Sequence, residues 1–486
     1  MKNIMSKLEQ LEPQKVFHFF EEIAAIPHGS RNTKAISDYL VNFAKERNLE
    51  VYQDASNNVV IIQEASEGYE GAEPIIIQGH MDMVCEKESD STIDFEKDGL
   101  SLYVDGDFLK AEKTTLGGDD GIAVAYALAI LDDPSIKHPR LEVVLTVDEE
   151  IGLLGAYAID LSMLKGHKML NIDSDVEGHF LTSCAGGLAV KGEIPVSRMS
   201  QKGTFMEILV TGLFGGHSGA EIHKERGNAD ILMGRVLKTI FDETPYGILT
   251  LEGGLKDNAI PRECKAEVLV PTENAGLVKE ICAKLDATLK KEFLAMDADV
   301  TIQLTEKGEQ EAEVLDFASM SKVIYYLRCV PNGVQHMSMQ IPGLVETSLN
   351  LGIMKLEQEI FMTETSIRSG VSSRKEDLKE KLIHFIEMLG GEVEVDGDYP
   401  AWEYNPDSSL RGEISAVYER LFGKAPIFEA IHAGLECGIL SEKIDNLDCV
   451  SFGPDNFDIH TPKERLSISS TKRVWDFLVA YLESAK

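Results

Sequence analysis

Two histidines and three carboxylates, His80, Asp119, Glu150, Asp173 and His460, stand at the ends of apolar runs: IIIQGHMDMV, TTLGGDDGIA, VVLTVDEEIG, MLNIDSD and FGPDNFDIHTPKE. A mixed nitrogen and oxygen ligand set of this kind suits a pair of zinc or similar divalent ions bridged by one shared carboxylate. Such a pair holds a hydroxide at neutral pH and clamps a carbonyl oxygen, so these residues point to metal-assisted hydrolysis.

Each member also has a plainer reading. His80 and Asp82 are two apart, so on a strand they share a face, and Asp82 could accept the proton of the ring nitrogen that His80 does not give to a metal. The same spacing serves an ordinary surface hydrogen bond. Asp119 and Asp120 follow two glycines and precede a helix, where a carboxylate commonly acts as N-cap. Glu149 and Glu150 are adjacent; one on a metal and one free would supply both a ligand and a general base, while a solvated strand end needs neither. Asp173, Asp175 and Glu177 are individually turn or surface acids. The case rests on their joint occurrence, each just beyond a buried run.

The elements that must position these residues are legible as an alternation of strands and helices up to about residue 186. Pro74 to Gly79, Leu141 to Val147 and Met169 to Ile172 are short branched runs of the kind buried in parallel strands. Gly121 to Leu131 reads as a buried helix closed by the turn at Asp132, Asp133 and Pro134. This is an α/β layered sheet, and open sheets of that class place ligands in the crevice beyond the carboxyl ends of their strands. From Gly187 to about Pro400 the style changes to alternating strands (FMEILVTGLF, KAEVLV, SLNLGIM, IFMTETSIR) with two helical stretches, an inserted α+β domain. After YPAW a helix, SSLRGEISAVYERLFG, and a strand, DCVSFGP, resume the first style and deliver His460. The expected organisation is therefore a discontinuous catalytic domain, residues 1–186 and 401–486, interrupted by residues 187–400. The acidic stretch from Glu64 to Glu73 reads as a surface loop.

At 486 residues the chain exceeds one ordinary core, and 43% hydrophobic with 27% charged residues describes a soluble globular protein. A net charge of −35 argues against nucleic acid or an anionic membrane as partner, because both would repel it. The seven cysteines are scattered and never in a CxxC pair, so neither a disulfide framework nor a thiolate site is indicated, and they read as buried thiols. The N-terminal segment MKNIMSKLEQLEPQKVFHFFEEIAAIP lacks an uninterrupted apolar stretch, which places the expected location in the cytoplasm.

Taken in succession, GHMDMV, LGGDDGIA, DEEIGL, NIDSD and IHTPKE resemble the metal motifs of the M20 co-catalytic zinc metallopeptidases over nearly the whole chain. TTLGGDDGIA, GGHSGAEI, NAIPRE and AIHAGLECG are similar to those of the aminoacyl-histidine dipeptidases within that family, a group that includes the cytosol non-specific dipeptidases. The resemblance implies a zinc-peptidase-like domain with a mostly parallel central sheet and an inserted α+β lid that carries a homodimer contact. It implies that Asp119 bridges two divalent ions, zinc or else manganese or cobalt, with His80 and Asp173 on one and Glu150 and His460 on the other. Asp82 would orient His80, and Glu149 would be the base acting on a metal-bridging water. His217 of FGGHSG corresponds to a lid histidine that stabilises the oxyanion and that could reach a partner's centre. Asn258 and Arg368 correspond to groups that grip the substrate, Arg368 being suited to a bidentate hold on a carboxylate. The Asp119–Asp120 peptide bond is expected to be cis. Many relatives carry lysine or asparagine soon after the first aspartate, whereas this chain has Asp120 and Gly121. The implied activity is hydrolysis of unblocked dipeptides, Xaa-His among them, with an aminoacylase, a tripeptidase or a catalytically silent peptide-binding protein as alternatives.

Overall fold

The computed structural model describes Leu8 and residues 10–486; part of the N-terminal segment read above, residues 1–7 and 9, lies outside the described residues. The chain divides into two compact units, one formed by the chain up to Ser183 with Tyr404–Ala430 and Leu435–Lys486, the other by Cys184–Glu403 with Ile431–Gly434.

The first unit is α/β. Its eight-stranded sheet runs in the order Glu50–Gln53, Val59–Gln63, Leu141–Thr146, Ile75–His80, Lys168–Asn171, Asp448–Ser451, His179–Cys184 and Ile427–Ile431. The four central strands are parallel. Glu50–Gln53 with Val59–Gln63, Val59–Gln63 with Leu141–Thr146, and Asp448–Ser451 with His179–Cys184 pair antiparallel, so the expected parallel character holds for the centre and the sheet as a whole is mixed. Ile75–His80 and Leu141–Thr146 are buried at every position, which is why apolar residues dominate them without regular alternation, and the polar side chains among them, such as Gln78 and Glu142, are buried too. Each fully buried Ile, Val or Leu there contributes about 1.5–3 kcal/mol relative to exposure.

Helix Gly118–Leu131 is buried along its whole length from Asp120, and a helix apolar on all sides belongs inside a core. Phe17 and Phe20 of helix Gln14–Ala24 and Phe477 and Leu478 of helix Ile468–Ser484 share its cluster. Parallel pairing sends His80, the turn after Thr146, the turn after Asn171 and the segment after Ser451 out at the same edge of the sheet. The stretch from Glu64 to Glu73 is a loop.

The second unit is α+β. A nine-stranded sheet, antiparallel in all its pairings, packs with helices Ala229–Glu243, Ala275–Glu292, Phe317–Cys329 and Ser372–Met388 around one apolar cluster. Four such helices stand where two were expected, because Ala275–Glu292 and Ser372–Met388 bury only four residues each and show a thin apolar stripe. Strand Arg198–Thr211 begins earlier than the run FMEILVTGLF and ends before Leu213. Ile431–Gly434, expected with the first domain, goes with the second: the Ala185 amide donates to the carbonyls of Ile431 and Ala433 at 3.2 and 3.1 Å.

All seven cysteines are free, but Cys85 is half-buried and Cys329 exposed, against the expectation of buried thiols; Cys329 closes a helix at the surface. Among the described residues no helix is long and apolar enough to cross a membrane.

Candidate metal centre

His80, the last residue of its strand, is 1% exposed, and its two ring nitrogens face different partners. Nε2 lies 3.1 Å from Asp119 Oδ1 and 4.0 Å from Asp173 Oδ1. Nδ1 lies 3.0 Å from the main-chain oxygen of Asp82 and 3.5 Å from its carboxylate. Asp82 is thus the residue that faces Nδ1, with its carbonyl as the nearer partner. The strand ends at His80, so Asp82 is no longer bound to a strand's alternation. Its carboxylate instead accepts Ser30 Oγ at 2.8 Å and the Glu149 amide at 3.1 Å.

Asp119 turns its second oxygen the other way, with Oδ2 3.2 Å from His460 Nε2. That same nitrogen is 3.0 Å from Glu150 Oε1. One carboxylate therefore stands between two pairs, His80 with Asp173 and His460 with Glu150. Ligand-type atoms of His80, Asp119 and Glu150, and of His80, Asp120 and Asp173, lie within 4.8 Å of one another. Neither aspartate caps the helix: Gly117 is the N-cap, Asp119 and Asp120 have non-helical torsions, and their peptide bond is cis. Asp120 Oδ2 accepts the His80 amide at 3.1 Å. Glu177 is taken up by Arg473 at 2.5 and 2.7 Å, while Asp173 faces His80.

The electrostatics describe a centre short of positive charge. Burial, joined by the charges of Glu436, Glu150 and Asp119 and opposed by His80, pushes the Glu149 carboxyl up to about 8. Burial, then the charges of Asp119, Glu149 and Glu436, raises Asp173 well above the ordinary carboxylate range despite His80. The hydrogen bond to Asp119, with Glu150, lifts His460 to about 10. Two imidazoles and several carboxylates held this close are the donor chemistry that fits two divalent cations.

Sequence reasoning missed Glu436, although AIHAGLECG contains it. It is fully buried, and Oε2 accepts Gln78 Nε2 and Thr146 Oγ1, both at 2.6 Å, joining the strands that end at His80 and Thr146.

His217, Asn258 and Arg368 belong to the second unit. His217 sits on the two-residue strand Gly216–His217, paired with Ala259–Ile260. Its Nδ1 accepts the amides of Gly219 and Ala220 at 3.1 and 3.0 Å, so in the neutral ring the proton is on Nε2. Burial and the Arg368 charge lower its pKa. Arg368 donates through an Nη to Tyr399 Oη at 2.7 Å, and its buried Nε has no partner. A Cβ on Gly219 would stand 3.0 Å from His217 Cε1, 3.1 Å from Arg368 Nε and 2.5 Å from the His432 oxygen, so glycine permits the three to converge. Asn258 is exposed, and its carbonyl accepts the Ser218 amide at 2.9 Å. His432 and Tyr399 were not assigned roles from sequence, although AIHAGLECG and YPAW had drawn notice. His432 Nε2 is 2.7 Å from Ser348 Oγ.

Comparison with known proteins adds four findings. The model of peptidase family M20/M25/M40 matches residues 76–484. The cytosol non-specific dipeptidase of Escherichia coli (strain K12) is 35% identical over 481 residues, 99% of this chain and 99% of that protein. The crystal structure of aminoacylhistidine dipeptidase from Vibrio alginolyticus superposes with a TM-score of 0.94 at 36% identity, covering 100% of this chain and 99% of that one. Aminopeptidase PepT from Bacillus cereus, at 14% identity and a TM-score of 0.57 over 97% of this chain and 98% of that one, shares the fold.

Proposed function

The chain belongs to peptidase family M20/M25/M40, and from that premise we propose that it is a di-metal hydrolase cleaving the peptide bond of unblocked dipeptides, Xaa-His dipeptides included. The observation that carries this reading is the placement of Asp119, one oxygen at His80 and the other at His460, with the half-buried Glu149 close enough for its charge to be felt. His80 and Asp173 would hold one ion, Glu150 and His460 the other, and Asp119 both. Two such ions, zinc by the donor set and manganese or cobalt as substitutes, would lower the pKa of a shared water and polarise the scissile carbonyl.

Glu149 takes the proton of the attacking water. A carboxylate so placed can accept that proton and release it to a departing amine nitrogen, so the same group serves as base and then as acid. Asp82 keeps this residue in place through its amide and His80 in place through its ring. From the second unit, His217 presents a neutral Nε2–H suited to a developing oxyanion, because its Nδ1 is already an acceptor. Arg368 offers an unpartnered Nε and a guanidinium oriented by Tyr399, a charge-assisted hold for the terminal carboxylate of a dipeptide, with Asn258 as a further polar contact.

The names of the two similar dipeptidases support the substrate class. The free thiols accord with a reducing cytoplasm. A homodimer through the second unit, whose Phe214 and Leu255 are 63% and 92% exposed, completes the reading, with His217 serving the partner's centre. Mixing His217→Ala with Glu149→Ala protein should then restore activity; no recovery despite subunit exchange removes that part.

The deciding assay compares free, amidated and N-acetylated dipeptides and tripeptides with zinc- or manganese-loaded protein. Free dipeptides should react best, and Arg368→Ala should lower that rate and erase the preference over amidated ones. Equal rates on free and amidated dipeptides with the parent would sink the clamp. A preference for tripeptides or acylated amino acids would move the assignment to a tripeptidase or an aminoacylase.

A further inference from the structure

Glu464 lies four residues beyond His460 and is 3% exposed. Its carboxylate takes four consecutive main-chain amides: Oε2 accepts Leu116 at 2.7 Å and Gly117 at 3.1 Å, and Oε1 accepts Gly118 at 2.8 Å and Asp119 at 3.3 Å. Asn456 Nδ2 adds a donor at 3.2 Å. Successive amides curled around one anion form a nest, and each hydrogen bond to a carboxylate is stronger than a neutral one. The glycine pair of TTLGGDD makes the curl possible. Gly117 has a φ of +67°, and a Cβ on Gly118 would stand 2.9 Å from Asn456 Nδ2 and 3.1 Å from Glu464 Oε1.

The last amide in the nest belongs to Asp119, whose carboxylate faces His80 and His460. Glu464 and His460 lie on one short segment, turned by a bond from the Glu464 amide to the Thr461 carbonyl at 3.1 Å. A single buried side chain therefore ties the main chain that projects the shared carboxylate to the segment that projects the second histidine.

We infer that Glu464 is a positioning residue for the metal centre: it sets Asp119 against His460 before any ion arrives, and so raises the affinity of both ion sites. The inference rests on the reading that Asp119, with the two histidines, Glu150 and Asp173, holds two divalent ions. A preorganised ligand set loses less freedom on binding, and groups that orient ligands in this way typically change metal affinity by about 10–100-fold.

The test is competition for Zn²⁺ and Mn²⁺ between a chelator and the full-length protein, at a temperature where circular dichroism shows each variant folded. Glu464→Gln keeps the shape but puts an amide NH₂ against two of the four main-chain donors. Gly118→Ala crowds Asn456 Nδ2 and the Glu464 carboxylate without changing any charge, and it decides the question if Glu464→Gln does not fold. Both variants should bind the ions about 10–100-fold more weakly than the parent, a loss that a purely structural brace would not produce in a folded protein. Parent-like affinity in a folded variant overturns the inference and leaves the functional reading intact. A parent that binds neither ion overturns both.

Discussion

Asp82 Oδ1 accepts the main-chain N–H of Glu149 at 3.1 Å, so the residue that contacts the His80 ring also fixes the position of the candidate base. Asp82→Ala keeps the carbonyl that faces His80 Nδ1 but frees the Glu149 amide. Turnover of free dipeptides should fall by about 10–100-fold. Steady-state kinetics with metal content measured in parallel checks this; a variant within twofold of the parent would leave Asp82 without a positioning role.

Glu149 and Glu150 are adjacent, and their variants should fail differently. Glu149→Ala should lose about 10²–10⁴ in kcat while both ions stay bound, the range associated with a general base. Glu150→Ala should lose one ion, since its Oε1 lies 3.0 Å from His460 Nε2. Elemental analysis of the two proteins separates the roles, and loss of an ion from Glu149→Ala would exchange them.

Metal uptake should release protons and weaken as pH falls. Glu149 is pushed up to about 8 and His460 to about 10, and Asp173 is raised, so the metal-free centre carries protons that the cations must displace. Calorimetry in buffers of different ionisation enthalpy reads the released protons directly. Chelation should also lower Tm by several degrees, because an ion at about 100 times its Kd adds about 2.7 kcal/mol to folding. Equal affinity at pH 6 and pH 8 would refute the proton linkage.

His432 offers a pH test in the second unit. Burial, with the nearby charge of Arg368, pushes its pKa down to about 3 from an ordinary value of 6.5. The folded state thus binds fewer protons than the unfolded chain between these values, and the contribution to stability is complete above 6.5 and is lost as pH falls toward 3. At pH 5 the parent should be less stable than at pH 7 by about 2 kcal/mol from this group alone. His432→Gln keeps a polar partner for Ser348 and removes the titration. Urea unfolding at both pH values should show the difference between the two proteins changing by that amount; a difference independent of pH would show that His432 is not held neutral.

The five ligand-type residues were legible because burial leaves a local trace. Ile75–His80 and Leu141–Thr146 are buried throughout, so apolar residues dominate their sequences, and a metal-type side chain just past such a stretch marks where the chain leaves the sheet. The buried helix after Gly121 was legible for the same reason. Assignment of separate roles to Asp119 and Glu149 came from motif resemblance, since two adjacent acids leave identical local signals. Only the tertiary structure decided that Asp82 meets His80 with its carbonyl and Glu149 with its carboxylate, because a chain leaving a strand no longer has a fixed alternation. The antiparallel flanks of the first sheet, the transfer of Ile431–Gly434 to the second unit and the partners of Glu436, His432 and Glu464 were likewise hidden. Each depends on a contact between segments far apart in the chain, and a single buried charge has no period from which its partner could be read.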